Sequence, residues 1–195
     1  RRKIKKSTVV IDIILVISTC LVLLPIVTMV MTSLKTFEDV QMNPASLIPK
    51  EFTLKNYVTV FTEFPFTQYL INTLFITITS TIGITLTSAL VAYAFSRFDF
   101  KYKGIIFAVM LSTIMIPGQI LQIPLYEMYR GMGWINTYKP MIIPAFLGDG
   151  ITNVFLIRQF FNSLPKSIFE SAQIDGAGEF RIFATIAVPL SKAII

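Results

Sequence analysis

The sequence predicts an all-α fold, a polytopic bundle of membrane-spanning helices, on three observations. Only 14% of the 195 residues are charged, where a soluble domain carries about a quarter. Mean hydropathy is +0.70. Four stretches stay apolar for the roughly 20 residues that a helix needs to cross a bilayer, in which lipid leaves a bare backbone amide no partner. A single Cys and the lack of His remove a disulfide framework, a multi-Cys metal site and imidazole chemistry. The formal charge of +6 would fit a nucleic-acid binder only if Lys and Arg clustered beside stackable aromatics on a wet surface. Here the aromatics lie within apolar runs, so no nucleic-acid partner is expected.

The elements follow in order. Residues 1–8 form a basic start, and residues 9–34 a first span whose apolar part is too long for a cleaved secretory signal. Residues 35–67 form a loop with Pro44, Pro49 and Pro65, suited to short helices at the membrane surface and too small for a binding domain. From residue 68 the chain reads as one transmembrane domain to residue 195. Its spans cover about Gln68 to Phe95, Gly104 to Tyr126, and Pro140 to Phe161, and from about Ala184 a fifth apolar helix begins. Placing the N-terminus inside puts Arg1, Arg2, Lys3, Lys5, Lys6, Arg97, Lys101, Lys103, Arg158, Lys166, Arg181 and Lys192 in the cytoplasm. Lys35, Lys50, Lys55, Arg130 and Lys139 are then outside, and twelve against five is the bias that resists translocation.

The loop 162–186, on the cytoplasmic side in this topology, is strongly punctuated. Pro165 ends one helix, Ser167 is placed to cap the next, and Glu170 three residues later completes a capping box. A short helix from about Ser167 to Ile174 should close at Asp175 and Gly176, since Gly tolerates a left-handed backbone. Ile168, Phe169, Ala172 and Gln173 are expected to project from it as a surface that fits a partner's groove. A second helix starts near Glu179 and enters the membrane through Pro189. Taken alone, a capping box and a Gly also describe an ordinary helix-turn-helix connection.

The spacing E-S-A, three residues, Gly, nine residues, I-x-V-P resembles the EAA loop of permease subunits of binding-protein-dependent ABC importers. Glu170, Ala172, Gly176, Ile186 and Pro189 fall on that pattern, while Ser171 and Val188 depart from it mildly. Asn72-Thr73, AYAFSRF from Ala92, IPLY from Ile123, GWINTY from Gly133 and RQFF from Arg158 are similar to the carbohydrate-uptake branch, near the maltose-system permease without a large periplasmic insertion. The resemblance implies a type I (MetI-like) core of six spans, of which the last two would be missing or only begun. It also implies a subunit of a prokaryotic plasma membrane that imports a sugar or polyol and is not an enzyme. Its partners would be ATP-binding ABC ATPase subunits, a second permease forming a heterodimer, membrane lipid and an extracytoplasmic solute-binding protein. No cofactor would be bound by this chain, and no G-x-x-x-x-G-K-[ST] phosphate loop occurs in it. In that family the loop's first helix docks on the ATPase, which assigns coupling to Ser167, Ile168, Phe169, Glu170, Ser171, Ala172, Asp175, Gly176 and Pro189. Glycerol phosphate is an alternative solute within the same class. A membrane enzyme would need further carboxylates at ligand spacing around Asp149-Gly150 or Asp175-Gly176, which are absent, and an autonomous channel would leave the loop without a task.

Asp149 is the one acid deep in a predicted span, where an ionised carboxylate is costly unless it meets water or a partner. With Gly148 and Gly150 beside it and Asn153 a turn further on, it either lines a solute path or caps a helix nearer the outer surface. Gln119 and Gln122 share a face of the third span and fit a polar path or an interhelical hydrogen bond. Thr73, Thr77, Thr81, Thr85 and Ser88 form a stripe on the second span that is expected to pack against a neighbouring helix. Tyr126, Tyr129, Trp134 and Tyr138 fit an outer interfacial belt.

Overall fold

A computed structural model describes residues 6–195, with side chains from Val10 onward. Arg1, Arg2, Lys3 and Lys5 lie outside the described residues. The chain forms two compact units, one ending at Leu70 and the other running from Ile71 to Ile195.

In the first unit, α1 (Lys6–Ser33) carries Pro25 and apolar residues all round. None of its apolar stretch Val10–Ser33 is buried within the protein, the pattern of a helix whose solvent is lipid. After it the chain turns through α2 (Phe37–Met42) and α3 (Lys55–Glu63). Lys35 is only 1% exposed and its ammonium donates to the carbonyls of Asn43 and Ser46, because a buried charge has to be hydrogen-bonded. Asn56 Nδ2 donates to the carbonyls of Ser33 (2.9 Å) and Lys35 (2.8 Å). These are carbonyls left without helical partners where α1 ends. Asp39 accepts from the backbone N–H of Lys50 at 3.0 Å. The loop is therefore fixed by its own polar groups.

α4 (Phe66–Arg97) is a continuous helix of 32 residues. The expected third span is not straight. α5 (Lys103–Ser112) tightens into a 3-10 turn at Thr113–Met115, and α6 (Gly118–Gly131) leaves at an angle of 96°. Pro117 explains the break, because the residue before a proline is driven out of the helical region, and Ile116 sits at ψ 114°. Among the described residues three helical stretches are thus long and apolar enough to cross a membrane, and a fourth is counted if the bent pair is one span.

The last of those stretches is itself interrupted. α7 (Lys139–Phe146) and α8 (Ile151–Ser163) flank a break at Leu147 to Gly150. α9 (Lys166–Ile174) and α10 (Glu179–Ile182) follow, then a π turn at Phe183–Ala187 and α11 (Val188–Leu190). The core joins Ala89, Ala92, Tyr93 and Phe95 of α4 to Phe107 of α5, Val154, Ile157 and Phe161 of α8, Phe169 of α9, and Ile182 and Phe183.

Small residues on α4 let the broken stretch approach closely. A Cβ on Gly150 would overlap Ser88 Oγ and lie 2.7 Å from Ile84 Cγ1. Ser80 donates to the carbonyl of Met141, Thr87 to that of Ala145 and Ser88 to that of Gly150. The packed face is therefore Ser80, Gly83, Thr87 and Ser88, which corrects the expected stripe. Thr73, Thr77 and Thr81 are exposed, and only Ser88 of that stripe is fully buried. Both rows have helical spacing, and contact alone separates them.

Candidate functional site

The loop after α8 is built by local rules at its end and by distant partners along its length. Pro165, at φ −58° and ψ 128°, stands at the N-cap of α9, and no side-chain capping bond is present. This corrects the capping box expected from Ser167 and Glu170. The proline's fixed φ starts the helix at Lys166, so Ser167 is already inside the first turn and cannot reach back as a cap. The C-terminus closes as the spacing predicts. Gly176 has φ +80°, its N–H donates to the carbonyl of Gln173, and the N–H of Ala177 donates to that of Ala172. This pair of bonds is a Schellman closure.

α9 has two unlike faces. Phe169 is 5% exposed and Ala172 packs against the core, so neither projects toward a partner as expected. Their side chains are what the helix uses to attach itself to its own protein. The free face carries Ser167, Ile168, Glu170, Ser171 and Asp175, together with Ile174 at 86% exposure. Gln173 lies at the edge, where its Nε2 donates to Glu179 Oε1 at 2.7 Å. Pro189 lies in α11, directly after the π turn, where the N–H of Val188 reaches five residues back to the carbonyl of Phe183.

Four residues without an expected role organise this region. Glu179 accepts through Oε2 from the Tyr93 hydroxyl at 2.8 Å. Arg97 donates from Nη2 to the carbonyl of Phe161 at 2.8 Å, with its guanidinium carbon 3.4 Å from the centroid of the Phe169 ring. Arg158 answers from α8: its Nε donates to the carbonyl of Phe95 at 3.2 Å, and its guanidinium lies over Phe107 at 4.1 Å. Each arginine thus satisfies a carbonyl near the C-terminal end of the other's helix, where orphan carbonyls and the helix dipole favour a cation. Tyr93 is ringed by Phe98, Phe161 and Phe183. The available signal was the pair of segments AYAFSRF and RQFF, which hold three of these four residues. Tyr93, Arg97, Phe169, Glu170, Gln173 and Glu179 line a polar cleft of about 560 Å³.

The expected path residues do not converge. Asp149 is exposed in the break between α7 and α8 and lines a cavity of about 460 Å³ with Met128, Tyr129, Trp134 and Leu147. The Tyr129 and Trp134 rings are stacked at 5.7 Å. Asn153 instead lines a cleft of about 190 Å³ with Thr85, Leu156 and Ile194. Gln119 and Gln122 are exposed on α6, turned off the α5 axis by the bend before it, and line neither cavity. Among the described residues no group of three or more His, Cys, Asp or Glu could hold a metal ion.

Comparison with known proteins agrees with this architecture. Residues 84–195 match the family described as binding-protein-dependent transport system inner membrane component. The chain is 32% identical over 190 residues to the trehalose/maltose transport system permease protein MalG of Thermococcus litoralis, covering 96% of this chain and 67% of that protein. It is 32% identical over 169 residues to the arabinooligosaccharides transport system permease protein AraQ of Halalkalibacterium halodurans, covering 85% and 60%. It spans about 60% of the length of several such relatives. The crystal structure of a bacterial ABC transporter involved in the import of the acidic polysaccharide alginate has the same fold, with a TM-score of 0.83 at 22% identity over all of this chain and 69% of that one. A helical bundle with a broken span and a Schellman-closed loop helix, matched to that family over residues 84–195, belongs to the binding-protein-dependent transport system inner membrane components.

Proposed function

We propose that this chain is the membrane-embedded permease subunit of an ABC importer that carries a sugar or related polyol across the plasma membrane of a prokaryote. ATP is bound and hydrolysed by separate ATPase subunits, and this chain supplies no nucleotide site, cofactor or catalysis of its own. A second, different permease completes the path, and an extracytoplasmic binding protein delivers the solute. The N-terminus is cytoplasmic, which puts α9 on the ATPase side and follows from the twelve-to-five distribution of Lys and Arg.

The observation that carries this reading is α9 itself. It is a nine-residue helix closed at Gly176, anchored on one face and bare on the other, with Glu170, Ser171 and Ile174 free to enter a groove. In this role Ser167, Ile168, Glu170, Ser171, Ile174 and Asp175 meet the ATPase. Phe169 and Ala172 hold the helix from behind, Gly176 allows its turn, and Pro189 shapes the helix that follows. Closure of two ATPase subunits on ATP then moves the bundle through this helix. The sugar assignment draws on the names of MalG and AraQ, and Asp149 lines the path through hydrogen bonds to hydroxyls.

The test is co-purification of the co-expressed ATPase with the wild-type permease and with Gly176→Pro, followed by uptake of radiolabelled maltose, trehalose, arabinooligosaccharides and glycerol 3-phosphate into cells. Loss of ATPase from the variant alone, and uptake of a sugar but not of the phosphate, is the expected result. Equal retention of ATPase by both proteins would overturn the docking role.

A further inference from the structure

We propose that Tyr93, Arg97 and Glu179 are positioning residues that lock α9 to the end of α4, so that the two helices move as one body. This inference rests on the coupling role given to α9 and names the residues that would transmit its motion.

α9 has nine residues, too few for a helix to hold its shape in water by itself. A push on its free face is passed on through its short backbone links to α8 and α10 and through what grips its buried face. Two separate struts do this, and both end on α4. In the first, the Phe169 ring lies under the Arg97 guanidinium at 3.4 Å, and the same guanidinium donates to the carbonyl of Phe161, tying in α8. In the second, Gln173 donates to Glu179 Oε1 at 2.7 Å and the Tyr93 hydroxyl donates to Glu179 Oε2 at 2.8 Å. One carboxylate thereby bridges three helices with both of its oxygens in use.

Tyr93 and Arg97 stand one turn apart on α4 and share a face. On α9, Phe169 and Gln173 are likewise four residues apart. A single attachment would leave a hinge, whereas two attachments a turn apart on each helix also suppress rotation of one about the other. The bonds at Glu179 are short, 2.7 and 2.8 Å, and run to the two oxygens of one carboxyl group. Glu170 is exposed at the rim of the same cleft and takes no part in either strut, so the acid that matches the family pattern and the acid that anchors the helix are different residues.

The experiment places nitroxide labels at Leu86 on α4 and Ile174 on α9, both exposed, in a Cys20→Ser background of the full-length permease in nanodiscs, and measures their separation by double electron–electron resonance. One narrow distance is expected for the wild type. Tyr93→Phe combined with Glu179→Ala should widen the distribution at least twofold, and Glu179→Gln, which keeps an acceptor for Tyr93, should retain the narrow peak. A width unchanged in the double variant, or a broad wild-type distribution, overturns the proposal. Tyr93→Phe alone removes one hydroxyl without opening the core, and serves if the double variant does not fold. Amide exchange across residues 166–174 should then rise about tenfold with α8 unchanged, and no rise overturns the lock. ATPase capture is scored separately on the wild type, so failure of docking with a narrow distance refutes the coupling role, and a broad distance with docking intact refutes the lock.

Discussion

Gly150→Ala should destabilise the bundle by an amount that can be worked from the contact between α4 and the break before α8. The new methyl would overlap Ser88 Oγ and fall 2.7 Å from Ile84 Cγ1, a separation at which one side must move. Forcing an extra carbon into a packed contact costs about 1–3 kcal/mol. Displacing Ser88 also breaks its 3.3 Å bond to the carbonyl of Gly150, worth about 1 kcal/mol. Against this, alanine narrows the unfolded ensemble by about 0.4–1 kcal/mol. The net loss is about 2 kcal/mol, or roughly thirtyfold in the folding equilibrium. The assay is SDS titration of the purified protein in mixed micelles, followed by near-UV circular dichroism. Ser88→Ala removes the nearer obstacle, so the Gly150→Ala, Ser88→Ala pair should lose less than the sum of the two single variants. A wild-type midpoint for Gly150→Ala, or strict additivity in the pair, would refute the close approach.

Three other outcomes are expected. Asp149→Ala should lower solute uptake severalfold while leaving the amount of assembled complex unchanged, measured by transport into cells and by pull-down. At the exit of α1, the Asn56 amide serves two carbonyls at once; Asn56→Leu should therefore cost about 1–3 kcal/mol and expose residues 35–55 to limited proteolysis. Arg158→Met should remove the bond to Phe95 and the contact over Phe107, lowering the SDS midpoint by the equivalent of about 2 kcal/mol.

Whatever depends on neighbours within a turn or two is written in the chain itself. Long apolar runs suffice to make α1 and α4 spans. Gly176 closes α9 because only the local backbone has to turn there, and Pro117 is visible as an interruption of the third span. The size of that bend, 96°, is not legible, since a proline breaks a helix without saying where the next one goes. Faces are harder still. In a helix that is apolar all round, no polar side marks the solvent, so Thr73, Thr77 and Thr81 are as eligible to pack as Ser80, Thr87 and Ser88. Phe169 is expected to project with Ile168, Ala172 and Gln173, yet Arg97 covers it from another helix. Glu179 gives no local sign of its role for the same reason: its partner Tyr93 is 86 residues away. Only tertiary structure decides such pairs, because a hydrogen bond requires two groups within about 3 Å and sequence separation carries no information about that distance.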